Sequence, residues 1–311
     1  MGFLRFLEGI RNPVCDFFFS AITFLGDETA FMAVAILVFW CFSKKDGYYI
    51  LSVGFIGTAL NQFLKLTFRI PRPWVKDPSF TIVESAREAA TGYSFPSGHT
   101  QSSVGTFGAI AYIFKNKWVK IVAIALCVLV PLSRMYLGVH TPLDVFVSVG
   151  VALVLIFGIK YLFDYLSTKK WGMYAFLGSM IGLCLALLLY VLLFPFPENL
   201  DPHNYESGLK NACTLLGATI GMLIAYPIEE KYIKFETDGK WYVQIIKVAL
   251  GLGLVLGIKA LLKPLFLLFL PEMVERVIRY AIMVLFAVCV WPLTFKFIKK
   301  LENVNKNCCK Q

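Results

Sequence analysis

The chain has 311 residues, 58% of them hydrophobic and only 16% charged, with a mean hydropathy of +0.69. A soluble domain carries about 25% charged residues, so this chain has too little polar surface for a soluble fold of its size, and its apolar residues come in the long runs of a membrane protein. The net charge of +10 sits mostly on lysines in short loops between those runs. That is a topology signal, and with no basic soluble domain in the sequence, nucleic acid is not an expected partner.

In chain order, Phe3–Leu25 mixes Arg5, Glu8, Arg11 and Asp16 with Phe and Leu. It is too polar to span easily and reads as an interfacial helix or pair of helices. It lacks a small-residue cleavage site after a compact apolar core, so a cleaved signal peptide is not expected. The first span is Thr29–Phe42, short enough that its start belongs earlier, and the second is Tyr48–Phe68. A polar, proline-rich segment, Arg69–Pro96, follows. Further spans are read at Ser97–Phe114, Ile121–Met135, His140–Phe163, Trp171–Phe194, Leu209–Ile228, Val243–Leu262 and Val277–Ile298. The expected fold is an all-α polytopic transmembrane helical bundle: an interfacial segment over 1–28, a core over 29–194, additional spans of unknown role over 195–298, and a basic tail over 299–311.

If the spans alternate, the loops at Lys44, Lys115, Lys169 and Lys231 and the tail at Lys299 share one side, which the positive-inside rule makes cytoplasmic. The loops 69–96, 136–140, 195–208 and 263–276 and the N-terminal segment fall on the other. Gly178/Gly182, Gly217/Gly221 and Gly253/Gly257 are GxxxG pairs, usable as a homodimer seam but more often used to pack helices within one chain. Cys15, Cys41, Cys127, Cys184, Cys213 and Cys289 lie in or beside apolar stretches, and Cys308 and Cys309 in the tail. None shows metal spacing, and reduced thiols are expected.

Polar residues of three distant segments converge on the outer face. Lys65 ends the second span and Arg72-Pro73 follows it; Pro96-Ser97-Gly98-His99 opens the third; Ser133-Arg134 closes the fourth; His140 opens the fifth, with Asp144 one turn on. Ser97 suits an N-cap and Gly98 permits close backbone approach, so the helix start presents free N–H groups to an anion, with His99 beside it. Lys65, Arg72 and Arg134 add three cations suited to phosphate oxygens. His140 and Asp144 share a helix face, so the carboxylate can fix one tautomer and leave the other ring nitrogen as nucleophile or base. Two histidines within a cation cage are what histidine-based phosphoryl transfer requires, and the cations do the charge stabilisation for which a metal would otherwise serve. No cofactor is expected. Singly, each residue has a plain alternative: a snorkelling Lys65, a solvated Arg72, an interfacial His99, a structural His140–Asp144 pair. Their convergence argues against all of these together. Asn61, one turn before Lys65, orients it or bonds a neighbouring helix; Glu84, Arg87, Glu88 and Tyr93 form a lid, a head-group contact or a plain loop; His203 reads as a solvated loop residue.

Lys65-x6-Arg72-Pro73, Pro96-Ser97-Gly98-His99 and Ser133-Arg134-x5-His140-x3-Asp144 resemble the three-part signature of the type 2 phosphatidic acid phosphatase family. The resemblance covers Thr29–Phe163, with span six and the N-terminal segment fitting that family's six-helix core; it does not clearly cover Leu209–Gln311. It implies that His140 attacks phosphorus, Asp144 orients it, and His99 protonates the leaving alkoxide and then activates water. Lys65, Arg72, Ser97, Gly98 and Arg134 would hold the phosphate oxygens. Vanadium-dependent haloperoxidases share the signature but are soluble, unlike this chain. The expected substrate is a lipid phosphate: phosphatidate, a prenyl pyrophosphate such as the undecaprenyl carrier, phosphatidylglycerol phosphate or a long-chain base phosphate. Compact loops suit a bacterial plasma membrane. Other readings are a phosphotransferase with an acceptor other than water, a lipid-binding scaffold, and a transporter, against which the one-sided clustering of polar residues argues.

Overall fold

The computed structural model describes residues 1–88, 90–197 and 201–300, and all regular structure among them is helical. Residues 301–311 of the basic tail, with Cys308 and Cys309, and Glu198 of the acidic loop lie outside the described residues.

The N-terminal segment is a pair of helices, α1 (Gly2–Gly9) and α2 (Pro13–Thr23). Asn12 caps α2 by accepting a hydrogen bond from the Cys15 N–H at 3.0 Å, and Pro13 occupies the first turn, where a missing N–H is harmless. The chain then bends by 56° into α3 (Glu28–Cys41). Fourteen residues reach about 21 Å, short of the ~30 Å hydrocarbon thickness, as the sequence suggested.

The core continues with α4 (Lys44–Phe68), the short α5 (Pro73–Lys76), α6 (Gly98–Ile113), α7 (Lys117–Tyr136), α8 (Pro142–Ser167) and α9 (Gly172–Leu193). After it come α10 (Pro202–Ile228), α11 (Trp241–Leu267) and α12 (Glu272–Leu285), the last running on through irregular turns to α13 (Phe295–Lys299). Among the described residues, seven helical runs are long and apolar enough to cross a membrane. The nine expected spans are all helices, but α3 and α6 do not meet that test. At 14 and 16 residues both are too short for it, and α6 is polar as well, with Thr100, Gln101, Ser102, Ser103 and Thr106 all covered. A helix enclosed by protein on every side need not match the apolarity of lipid.

Two boundaries move. The fifth span starts at Pro142, leaving His140 in the turn before it. The acidic loop is shorter than read, because Asp201 caps α10, accepting from the His203 N–H at 2.9 Å, and Pro202 takes the first position. Of the GxxxG pairs, Gly217 and Gly221 pack α10 onto α12. A β-carbon on Gly217 would lie 2.2 Å from the Val277 carbonyl oxygen, and one on Gly221 2.8 Å from that of Ala281. The other two pairs have open space before them.

The end of α4, the starts of α6, α8 and α10 and the end of α7 meet on one face. At the opposite end, Lys44 bonds Glu229 at 2.6 Å and Lys45 pairs with Asp164 at 2.9 Å. Trp40 donates to the Ala287 carbonyl at 2.8 Å, tying α3 to the C-terminal helices.

Candidate active site

Four segments bring the sequence-predicted residues together. Ser97 caps α6, accepting from the Thr100 N–H at 3.3 Å, so Gly98 and His99 occupy the first turn where backbone N–H groups face outward. Arg72 is buried and pinned by backbone oxygens: Nε donates to the Gly92 carbonyl at 3.1 Å, Nη2 to Thr91 at 2.7 Å and Nη1 to Val139 at 2.9 Å. Lys65 Nζ donates to the Tyr93 carbonyl at 2.7 Å. The end of the loop 69–96 positions the site: carbonyls of Thr91, Gly92 and Tyr93 hold two cations, and Gly92 adopts φ +71°, where a side chain would be strained. Glu84 and Arg87 pair with each other at 2.7 Å on the exposed surface.

His140 lies in the turn between α7 and α8, with Nε2 2.9 Å from Arg72 Nη1. Burial first, then the charges of Arg72 and Arg134, push its imidazole pKa well below the ordinary value, so the ring is neutral and carries a lone pair. Asp144 Oδ2 stands 3.6 Å from His140 Nδ1, in reach of its charge but beyond hydrogen-bond length. That oxygen instead accepts from Ser94 Oγ at 2.6 Å and from the Thr141 N–H at 2.8 Å, closing a capping box at the start of α8.

Arg134 is fully buried and donates through Nη1 to Thr23 Oγ1 at 2.7 Å, while its Nε and Nη2 have no partner among the described residues. Buried guanidinium N–H groups without acceptors are costly, and an anion's oxygens would satisfy them. Opposite, His99 Nε2 lies 2.7 Å from Asp27 Oδ1. Gly26 lets this strand of chain approach: a β-carbon there would meet the His99 carbonyl at 3.0 Å.

These groups surround a cavity of about 330 Å³ lined by Asp27, Lys65, Arg72, Gly98, His99 and His140, with Ser97, Arg134 and Asp144 buried around it. Asn204, Ser207 and Asn211, spaced along one face of α10, line it too. Sequence reasoning missed Thr23, Asp27, Ser94 and the α10 face. Asp27 was visible as an acidic residue just ahead of the first span, but nothing local said it would meet His99, seventy-two residues on. Asn61 lines the cavity with both amide atoms unpartnered among the described residues, so it makes neither of the bonds expected of it. His203 is exposed, as expected, but stands in the first turn of α10 and not in a loop.

Two family models match the chain: the PAP2 superfamily over residues 45–167, and the PAP2 superfamily phosphatase, transmembrane extension, over 213–303. The Dictyostelium discoideum protein named probable sphingosine-1-phosphate phosphatase is 29% identical over 70% of this chain, which spans 55% of that relative's length. Undecaprenyl-diphosphatase BcrC of Bacillus subtilis is 32% identical over 47% of this chain and 73% of its own. Phosphatidylglycerophosphatase B of the same organism is 30% identical over 49% and 76%.

Proposed function

The chain belongs to the PAP2 superfamily, and from that membership and the cavity's geometry we propose that it is a membrane phosphatase that hydrolyses a lipid phosphate monoester or diphosphate through a phosphohistidine. His140 Nε2 attacks phosphorus, forming a P–N bond as the bond to the leaving oxygen breaks. The electron pair goes to that oxygen, and His99 gives it a proton. In the second half, His99 takes a proton from water, the water oxygen bonds phosphorus, and the P–N bond breaks, returning His140 and releasing phosphate. Asp27 Oδ1, 2.7 Å from His99 Nε2, fixes the ring that gives and takes this proton. Asp144 holds the start of α8, and its charge supports His140 as positive charge develops on the ring. Lys65, Arg72, Arg134 and the backbone N–H groups at Ser97–Gly98 meet the phosphoryl oxygens, so no metal ion is assigned a role.

The observation that carries this reading is the burial of Arg134 with two guanidinium nitrogens unfilled beside a neutral His140. An anion's oxygens would satisfy those nitrogens, and the nucleophile stands at the edge of the cage. The lysine-rich helix ends support a cytoplasmic opposite face and C-terminus, with the cavity on the outer side, by the positive-inside rule; compact loops suit a bacterial plasma membrane. Phosphatidate, undecaprenyl diphosphate, phosphatidylglycerol phosphate and long-chain base phosphates fit the site. A homodimer would use the outward Gly178/Gly182 or Gly253/Gly257 pairs.

Purified protein in detergent should release phosphate from at least one of these lipids with EDTA present, and His140→Ala should lower the rate by at least about 1,000-fold. Release that survives in His140→Ala would sink the mechanism, and no release from any of the four lipids would sink the hydrolase reading.

A further inference from the structure

A second cavity lies beside the first. It occupies about 100 Å³ between α3, α4 and the C-terminal helices α10, α11 and α12. Its walls are apolar: Met32, Ile36, Phe55, Met222, Leu256 and Met283 are typical of them. Thr29 lines both cavities, so the two share a wall at the head of α3. From Thr29 the slot follows α3 down to Phe39, ten residues or about 15 Å of helix. It therefore runs along the bundle, away from the candidate active site and toward the bilayer interior. Lys259, on α11, is the charged residue of its lining, and Glu28 and Lys259 attract one another across the mouth.

The phosphatase reading leaves a geometric problem. The phosphate must enter a polar cavity while the hydrocarbon attached to it stays out of water. A tail must leave that cavity along an apolar surface, and the slot adjoins it at Thr29. We propose that this slot binds one hydrocarbon tail of the substrate lipid, so that α10, α11 and α12 form a tail-binding wall for the site built by the core. The inference rests on the phosphatase reading above. Three observations favour a tail over mere loose packing. The slot adjoins the site at Thr29, it is directed along the bundle as a lipid tail in a bilayer is, and its Lys259 interacts with Glu28, which lines the site cavity. The slot is narrow, which limits it to a single chain. The second tail of a two-tailed lipid would lie outside, against the exposed side of the bundle.

Each methylene buried contributes about 0.8 kcal/mol, roughly a fourfold gain in binding, so chain length should be read out strongly. The test compares hexadecyl phosphate with butyl phosphate, which share a head and differ in tail, using wild type, Ala33→Phe and Leu256→Trp. Both substituted positions line the slot, neither contacts the phosphate cavity, and Leu256 is 49% exposed, so a larger ring there does not crowd the core. Wild type should show kcat/KM at least tenfold higher for the long chain. Each variant should lower the long-chain value about tenfold and leave the short-chain value within about twofold. Equal losses on both substrates, or no loss on either, would overturn the inference while leaving the phosphatase reading intact. Absence of hydrolysis of every lipid phosphate by wild type would instead strike the phosphatase reading itself. A binding readout separates the two cases: hexadecyl phosphate carrying a photoreactive diazirine in mid-tail should label peptides from α3 and α11. Excess unlabelled hexadecyl phosphate, but not phosphatidylcholine, should suppress the labelling. Labelling that phosphatidylcholine suppresses equally would mark the slot as ordinary lipid contact and overturn the inference.

Discussion

Asp27 and Asp144 show how two carboxylates beside two histidines come to do different work. Asp144 is occupied: Ser94 and the Thr141 N–H fill its Oδ2, leaving His140 Nδ1 3.6 Å away. Asp27 faces His99 directly at 2.7 Å and sits on the cavity wall. If His99 is the group that protonates the leaving oxygen, Asp27 is its positioning residue. Asp27→Asn should then lower kcat roughly 10- to 100-fold with KM little changed, because the phosphate-holding cations are untouched. Asp27→Glu should recover part of the loss. Steady-state kinetics on the preferred lipid checks this, and a change in KM alone would assign Asp27 to substrate binding.

Helix packing makes the same point about distance along the chain. Gly217 and Gly221 bring α10 within backbone contact of α12, whereas nothing lies within 4 Å of a β-carbon built at Gly253. Gly217→Val should cost about 1–3 kcal/mol through the clash with the Val277 carbonyl, lowering the thermal midpoint in detergent, and Gly253→Val should shift it little. From sequence the three pairs were equivalent, since GxxxG records spacing and not which face the spacing turns inward. What the sequence could reveal followed from local chemistry. Ser97 ahead of Gly98, Asp201 ahead of Pro202 and Asn12 ahead of Pro13 each mark a helix start by the side-chain oxygen that caps it. Asp201-Pro202 lies ahead of the expected span Leu209–Ile228, so α10 starts earlier than that span and carries Asn204 and Ser207, expected in the loop, onto the same helix face as Asn211. The polar face of α6 was harder. Its hydroxyls and Gln101 are plain in the sequence, but that α4, α7 and α8 enclose them belongs to the tertiary structure. The same holds for Thr23 against Arg134, a contact across more than a hundred residues.

The arrangement of charge across the bundle links the site to the membrane it faces. Cations occur at both ends, and some are paired with acids at each, as Lys44 is with Glu229 and Lys45 with Asp164 away from the site. Around the candidate site they are buried in the cage or paired with acids, as Arg5 is with Glu8 and Asp77 and Lys210 with Glu206 and Glu272. At the other end, Lys115, Lys117, Lys120, Lys169 and Lys170 cluster near short turns. The positive-inside rule counts lysine and arginine in short loops and gives acidic residues little weight, so the turns of the second group, lacking any long intervening loop, are the ones that should hold their side of the membrane. A single cysteine placed at Thr81, which is exposed on the site face, should react with a membrane-impermeant maleimide in intact cells, in a variant whose native cysteines are replaced. A cysteine at Lys169 should react only after permeabilisation. The reversed pattern would turn the cavity toward the cytoplasm, where the lipid phosphates it meets would be those of the inner leaflet, and undecaprenyl diphosphate presented on the outer surface would drop out as a substrate. Because the slot at Thr29 runs from the site face into the bilayer, orientation also decides which leaflet supplies the tail, so the labelling result fixes the substrate's side before any lipid is assayed.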